Sequence, residues 1–156
     1  VLNTSVVVDR PAEVVWPVLI DQRVWKSGIG ALEHVGGDAG KEGELRFMTP
    51  ANAGPEHGYL IETVRVVPAQ QLVLKIYPRD RAAFIGFAAF TLSESDGKTR
   101  VNYDVYVEYR MNGTTPEQRT AFAKQMHEDT KARLQAENLA LKKLVERAMN
   151  NGPQAQ

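Results

Sequence analysis

Hydrophobic and polar positions alternate over most of the first two thirds of the chain, then change to a helical period. Residues 2–8 end in Val6, Val7 and Val8, a β-branched run that predicts a first strand. Asp9, Arg10, Pro11, Ala12 and Glu13 then read as a helix start, with Pro11 at the first helical position and Glu13 in the first turn. Val14, Val15, Val18 and Leu19 follow at helical spacing, and Pro17 inside that pattern predicts a kink or a division into short pieces. A second short helix is expected from Asp21 through Val24 and Trp25, stopping at Gly28 and Gly30.

Strands are predicted over 31–35, 44–49, 59–67, 71–77, 85–93 and 99–110. Gly36, Gly37 and Asp38 mark a turn, and Pro50 to Gly58 is a loop. Ser95-Asp96-Gly97-Lys98 carries the Asp-Gly signal of a tight hairpin. The last strand sets Val101, Tyr103, Val105 and Val107 on one face and Asn102, Asp104, Tyr106 and Glu108 on the other. One buried and one wet face argue for an antiparallel sheet.

Thr115, Pro116 and Gln118 form a capping box that opens the last element. This helix is predicted to run to Met149, about 50 Å at 1.5 Å per residue. Its apolar stripe is Phe122, Met126, Leu134, Leu141, Leu144, Val145 and Ala148, sparse at first and dense at the end. Tight packing of the last turns over loose packing of the first is what a cavity under the N-terminal half would leave. Residues 1–149 read as one domain and 150–156 as a frayed polar tail. A run of strands closed by a helix gives an α+β fold with a largely antiparallel sheet.

Composition narrows the chemistry. The 156 residues contain no cysteine, which excludes disulfides, thiolate metal sites and cysteine nucleophiles. Lys+Arg and Asp+Glu are both 19, so no global field favours nucleic acid or an anionic membrane. No apolar run is long enough to span a bilayer. The chain begins at Val1, so a leader removed before it would leave a periplasmic or secreted setting open beside the favoured cytoplasmic one.

The order of these motifs resembles the START-like (SRPBCC) superfamily, which includes polyketide cyclases and dehydrases, lipid-transfer domains, and plant hormone-binding and pollen-allergen proteins. The opening from Val6 to Trp16, with its Pro-Ala-Glu-x-Val-Trp core, resembles the family's first strand and helix. Asp21 to Trp25, Gly40 to Phe47, and Val64 to Leu74 resemble the segments that follow. Gly97-Lys98-Thr99-Arg100-Val101 resembles the hairpin before the last strand. The resemblance runs from about residue 4 to residue 148, departing in the long loop at 50–58 and in the longer, polar C-terminal helix. It implies a helix-grip fold: a curved antiparallel sheet wrapped around a long C-terminal helix, with two short helices near the N-terminus.

The resemblance places a ligand between the concave face of the sheet and the last helix. Trp25, Phe47, Phe90, Tyr103, Val105, Phe122 and Met126 are then the expected lining, and each is equally an ordinary core residue. Four residues are candidates for proton transfer: Glu62, His57, His127 and Tyr103. Glu62 faces inward if Leu60, Val64 and Val66 do, and outward in the opposite register. Arg46 either reaches a ligand carboxylate or is solvated. The spacing of His34, His57 and His127 fits no metal motif, and no metal or cofactor is expected. The fold admits two functions: binding of a small hydrophobic molecule (a lipid, polyketide or aromatic metabolite) for carriage or sensing, or a cofactor-free cyclase, dehydratase or lyase acting on such a molecule. The polar face of the long helix, with Glu128, Lys131, Arg133 and Gln135, is a solvated surface or a face that regulates a partner protein, and the long helix also allows a self-complementary homodimer contact.

Overall fold

The computed structural model describes residues 2–22, 25–79, 84–109 and 111–151, with 148–151 as backbone only. The chain order is β1 (Leu2–Val8), α1 (Ala12–Ile20), β2 (Ile29–Gly36), β3 (Leu45–Pro50), β4 (Tyr59–Val67), β5 (Gln71–Tyr77), β6 (Phe84–Ser95), β7 (Lys98–Tyr109) and α2 (Pro116–Asn151). All seven strands form one antiparallel sheet in the order β1-β7-β6-β5-β4-β3-β2. Strands β2 to β7 meander, and α1 carries the chain between the two edge strands. The sheet curves around α2, whose C-terminal half lies along β1 and against α1.

Local chemistry explains the elements. Asp96 and Gly97 both take positive φ, 53° and 74°, as a two-residue β6–β7 turn needs, and Ser95 pairs with Lys98 across it. The capping box closes as predicted: the Gln118 N–H donates to Thr115 Oγ1 at 3.1 Å, and the Thr115 N–H donates to Gln118 Oε1 at 2.8 Å. Pro11 is the cap of α1 and not its first helical residue, and the helix runs unbroken through Pro17. A first-turn proline would have had no helical N–H to give, and the cap position makes the same demand. Of the second short helix expected from Asp21, Arg23 and Val24 lie outside the described residues. Its flanks are joined by one helical hydrogen bond, from the Lys26 N–H to the Gln22 carbonyl at 3.0 Å. The tail at 152–156 also lies outside them, as does Arg110, while α2 continues two residues past Met149.

The core lies between the concave face and the two helices. Ile61, Leu72, Leu74, Phe90, Val101 and Tyr103 from the sheet meet Val15 and Leu19 of α1 and Leu134, Leu141 and Val145 of α2. Each fully buried aliphatic side chain contributes about 1.5–3 kcal/mol of hydrophobic stabilisation. Phe122, Met126 and Thr130 are only half-buried, so α2 packs tightly over its last turns and loosely over its first.

One irregularity sets the parity of β4. Thr63 pairs with Leu74 but Arg65 pairs with Val73, so Val64 is an extra, bulged residue. The bulge lets Val66 and Ile61 both face the core although their positions are offset by five, an odd number. Leu60 and Glu62 consequently face the convex side, and the register that would carry Glu62 inward is not adopted.

Candidate functional site

The interior contains a buried polar cluster centred on Glu137. Helical spacing puts this residue three positions after Leu134 and four before Leu141, on the apolar stripe of α2. Its side chain is inaccessible to solvent. The Ser27 hydroxyl donates to it at 3.0 Å, the Ser27 amide at 3.3 Å, the Tyr103 hydroxyl at 3.4 Å and Arg133 Nη1 at 3.4 Å. Buried carboxylates persist when several donors converge on them. Asn138, also buried, donates to Thr4 Oγ1 at 3.0 Å, which in turn donates to the Tyr103 carbonyl at 3.0 Å. These bonds tie α2 to β1 and β7.

Lys26 stands beside this cluster and is 9% exposed. Burial pushes its ammonium down to about 8; the charge of Glu137 opposes that effect, and Arg133 and Arg46 add to it. Burial, and secondarily Glu137, hold the Tyr103 hydroxyl well above the usual tyrosine range. Tyr59 is raised as well, chiefly by burial.

Two cavities open beside this core. The larger, of about 500 Å³, lies between the end of α1 and the concave face of β2 to β5. Its wall is apolar at Trp16, Ile20, Leu32, Val66 and Leu72, and polar at Asp21, His34, Glu44 and Arg46. Glu44 is buried, accepts from the Gly40 amide at 3.1 Å, meets His34 Nδ1 at 3.0 Å, and lies 3.9 Å from Arg46 Nε. The smaller, of about 240 Å³, lies under the N-terminal half of α2, against Val105, Val107 and Tyr109.

The structure distributes the sequence candidates among five places. Trp25, Phe90 and Tyr103 form one aromatic cluster in the core, with Phe90 and Tyr103 stacked at 4.3 Å and Trp25 edge-on to both. The Trp25 indole N–H is already satisfied by the Leu19 carbonyl at 3.1 Å. Val105, Met126 and His127 line the smaller cavity, and Phe122 packs edge-on against Tyr109 beside it. Phe47 is buried on the convex side, because it pairs with Leu60 and has parity opposite to Arg46; the Arg79 guanidinium covers its ring at 4.3 Å. Glu62, on that same side, accepts from the Tyr77 hydroxyl at 3.2 Å. His57 lies in a single 3-10 turn, Pro55–His57, with its side chain 68% exposed. Arg46 faces inward and is mostly buried. Sequence reasoning passed over Glu137 and Lys26. The signal for Glu137 was its position on the helix stripe; Lys26 had none beyond its place next to Trp25.

No family model matches the chain, and no curated protein matches it. Solved structures do. The protein Ara h 8.0201 is similar at 16% identity and a TM-score of 0.70, covering 94% of this chain and 97% of its own. The ZhuI aromatase/cyclase from Streptomyces sp. R1128 is similar at 14% identity and a TM-score of 0.70, covering 97% and 96%. Truncated norcoclaurine synthase from Thalictrum flavum is similar at 15% identity and a TM-score of 0.66, covering 92% and 91%. At these identities the likeness is one of fold. The chain shares the helix-grip fold with these structures.

Proposed function

We propose that the chain binds a small molecule with an apolar body in the 500 Å³ cavity between α1 and the concave face of the sheet. The observation that carries this reading is the composition of the wall. Apolar side chains from α1, β2, β4 and β5 converge there with a few fixed polar groups, and the volume lies in the range of small-molecule sites, about 300–1,000 Å³. Apolar contact supplies affinity, and Arg46, Glu44 and His34 orient the molecule.

The test is fluorescence titration with the neutral apolar probe N-phenyl-1-naphthylamine. Saturable binding of one probe per chain is expected. Leu32→Trp, which fills the cavity, is expected to weaken it at least tenfold, while Ala123→Trp, in the smaller cavity, leaves it unchanged. Non-saturable binding, or binding indifferent to Leu32→Trp, contradicts the assignment.

A second reading is catalysis of the cyclase, dehydratase or lyase kind on a molecule held instead in the smaller cavity, under the N-terminal half of α2. It is favoured by His127, a group suited to proton transfer that lines the smaller cavity. Turnover of an aromatic or polyketide-like substrate that His127→Asn abolishes would support it, and undiminished turnover in that variant would remove His127.

A further inference from the structure

We infer that the molecule held in this cavity carries a hydroxyl group, a phenol or an alcohol on its apolar body, and that Glu44 and Thr63 receive it. This rests on the cavity reading above. Glu44 immediately precedes β3, and Thr63 lies beside it on β4: the Thr63 N–H donates to the Glu44 carbonyl at 2.9 Å. Both residues line the cavity. On the other side of β3, His34 lines it too and pairs with Arg46. Three neighbouring strands thus bring one polar corner to the sheet side of the cavity, beside Leu32, Val66 and Leu72.

Glu44 has acceptor capacity to spare. A carboxylate offers about four acceptor positions. Glu137, buried in the core, takes four hydrogen bonds. Glu44 is 8% exposed, yet among the described residues only the Gly40 amide and His34 Nδ1 stand at hydrogen-bond distance from its carboxylate. Arg46 Nε, at 3.9 Å, is an ion-pair partner but too far away to donate. Buried acceptors are ordinarily filled, and the space beside this one is the cavity. Thr63 is an independent observation of the same kind. It is 3% exposed, and its hydroxyl makes no hydrogen bond among the described residues.

The charges on the wall favour a neutral group. Glu44 and Arg46 are opposite in sign and lie together, so as a pair they offer no net charge to an ion. Asp21, the other acid on the wall, has an interaction of its own. A ligand carboxylate would meet Glu44, and a ligand ammonium would meet Arg46. A hydroxyl brings one donor and two acceptor lone pairs without charge. It donates to Glu44 and accepts from Thr63.

Four naphthalenes, each displacing N-phenyl-1-naphthylamine at neutral pH, test this. 2-Naphthol is expected to bind at least threefold more tightly than 2-methylnaphthalene, although a purely apolar cavity would prefer the methyl compound. Glu44→Gln and Thr63→Val, both close in size to the parent side chains, are each expected to weaken 2-naphthol at least threefold and to leave 2-methylnaphthalene within twofold. A parent protein that prefers 2-methylnaphthalene, or a 2-naphthol affinity unchanged in Glu44→Gln, overturns the inference and leaves the cavity reading standing. Tighter binding of either ion, 2-naphthoate or 2-naphthylmethylammonium, than of 2-naphthol overturns it as well. Absence of saturable binding by N-phenyl-1-naphthylamine itself overturns the inference and the cavity reading together.

Discussion

The Tyr103 hydroxyl donates to the Glu137 carboxylate across 3.4 Å, joining the middle of β7 to the middle of α2 inside the protein. Both side chains are about 1% exposed, so neither has water as a substitute partner. Removing either end therefore leaves a desolvated group behind. Tyr103→Phe is expected to lower stability by about 1–2 kcal/mol, and Glu137→Gln, which also strips Arg133 of its counter-ion, by about 2–3 kcal/mol. Urea unfolding at neutral pH measures both. Full additivity in the double variant would show that the two side chains do not interact.

Lys26 gives stability an unusual dependence on pH. Its folded value is about 8 against 10.5 unfolded, so below pH 8 both states hold the proton and the cost of burial is present in full. Between those values the unfolded chain keeps the proton and the folded chain releases it, so stability rises with pH by up to about 3 kcal/mol. Above the ordinary tyrosine value of 10.0, Tyr103 and Tyr59 reverse the trend: their raised folded values let only the unfolded chain ionise, so stability falls. Chemical denaturation between pH 7 and 11 should show this maximum. Lys26→Met should be more stable at pH 7 and lack the rise. A flat profile in the parent would place Lys26 in water.

Glu62 faces the convex side, where it accepts from Tyr77. Glu62→Gln is accordingly expected to bind N-phenyl-1-naphthylamine within twofold of the parent. A tenfold loss would mean that the carboxylate reaches the cavity and that the bulge at Val64 is not formed.

Gly37 holds a positive φ of 70°, and a Cβ there would lie 2.3 Å from the Gly43 carbonyl oxygen. That close approach shapes the turn carrying Gly40 and Glu44 onto the cavity wall. Gly37→Ala should cost at least about 2 kcal/mol, from left-handed backbone and backbone overlap together. It should also weaken probe binding. Parent-like stability by urea unfolding would contradict the packing of this turn.

Much of the fold was legible because its signals are local. The β-branched run at Val6 to Val8, the Asp96-Gly97 turn, the alternation of β7 and the Thr115–Gln118 box each specify their element from a few neighbouring residues. The site was less legible, because its determinants are parity and long-range contact. Val64 reads as one more valine in a strand, yet as a bulge it reverses the facing of Glu62. Phe47 is expected in the lining and its neighbour Arg46 at a ligand carboxylate or in water, yet their pairing with Leu60 and Ile61 sends the first outward and the second inward. Glu137 reads as one more charge on a charged helix, and only its spacing from Leu134 and Leu141 marks its position as buried. Lys26 becomes informative only when α2 covers it.

The central claim is that the cavity between α1 and the sheet is where a small molecule binds. Backbone amide chemical shifts, followed by NMR during titration with N-phenyl-1-naphthylamine, test it most directly. The account predicts perturbations concentrated at Ile20, Leu32, Thr63, Val66 and Leu72. Perturbations centred instead on Ala123, Met126 and Thr130 would put the molecule under the N-terminal half of α2 and contradict the account.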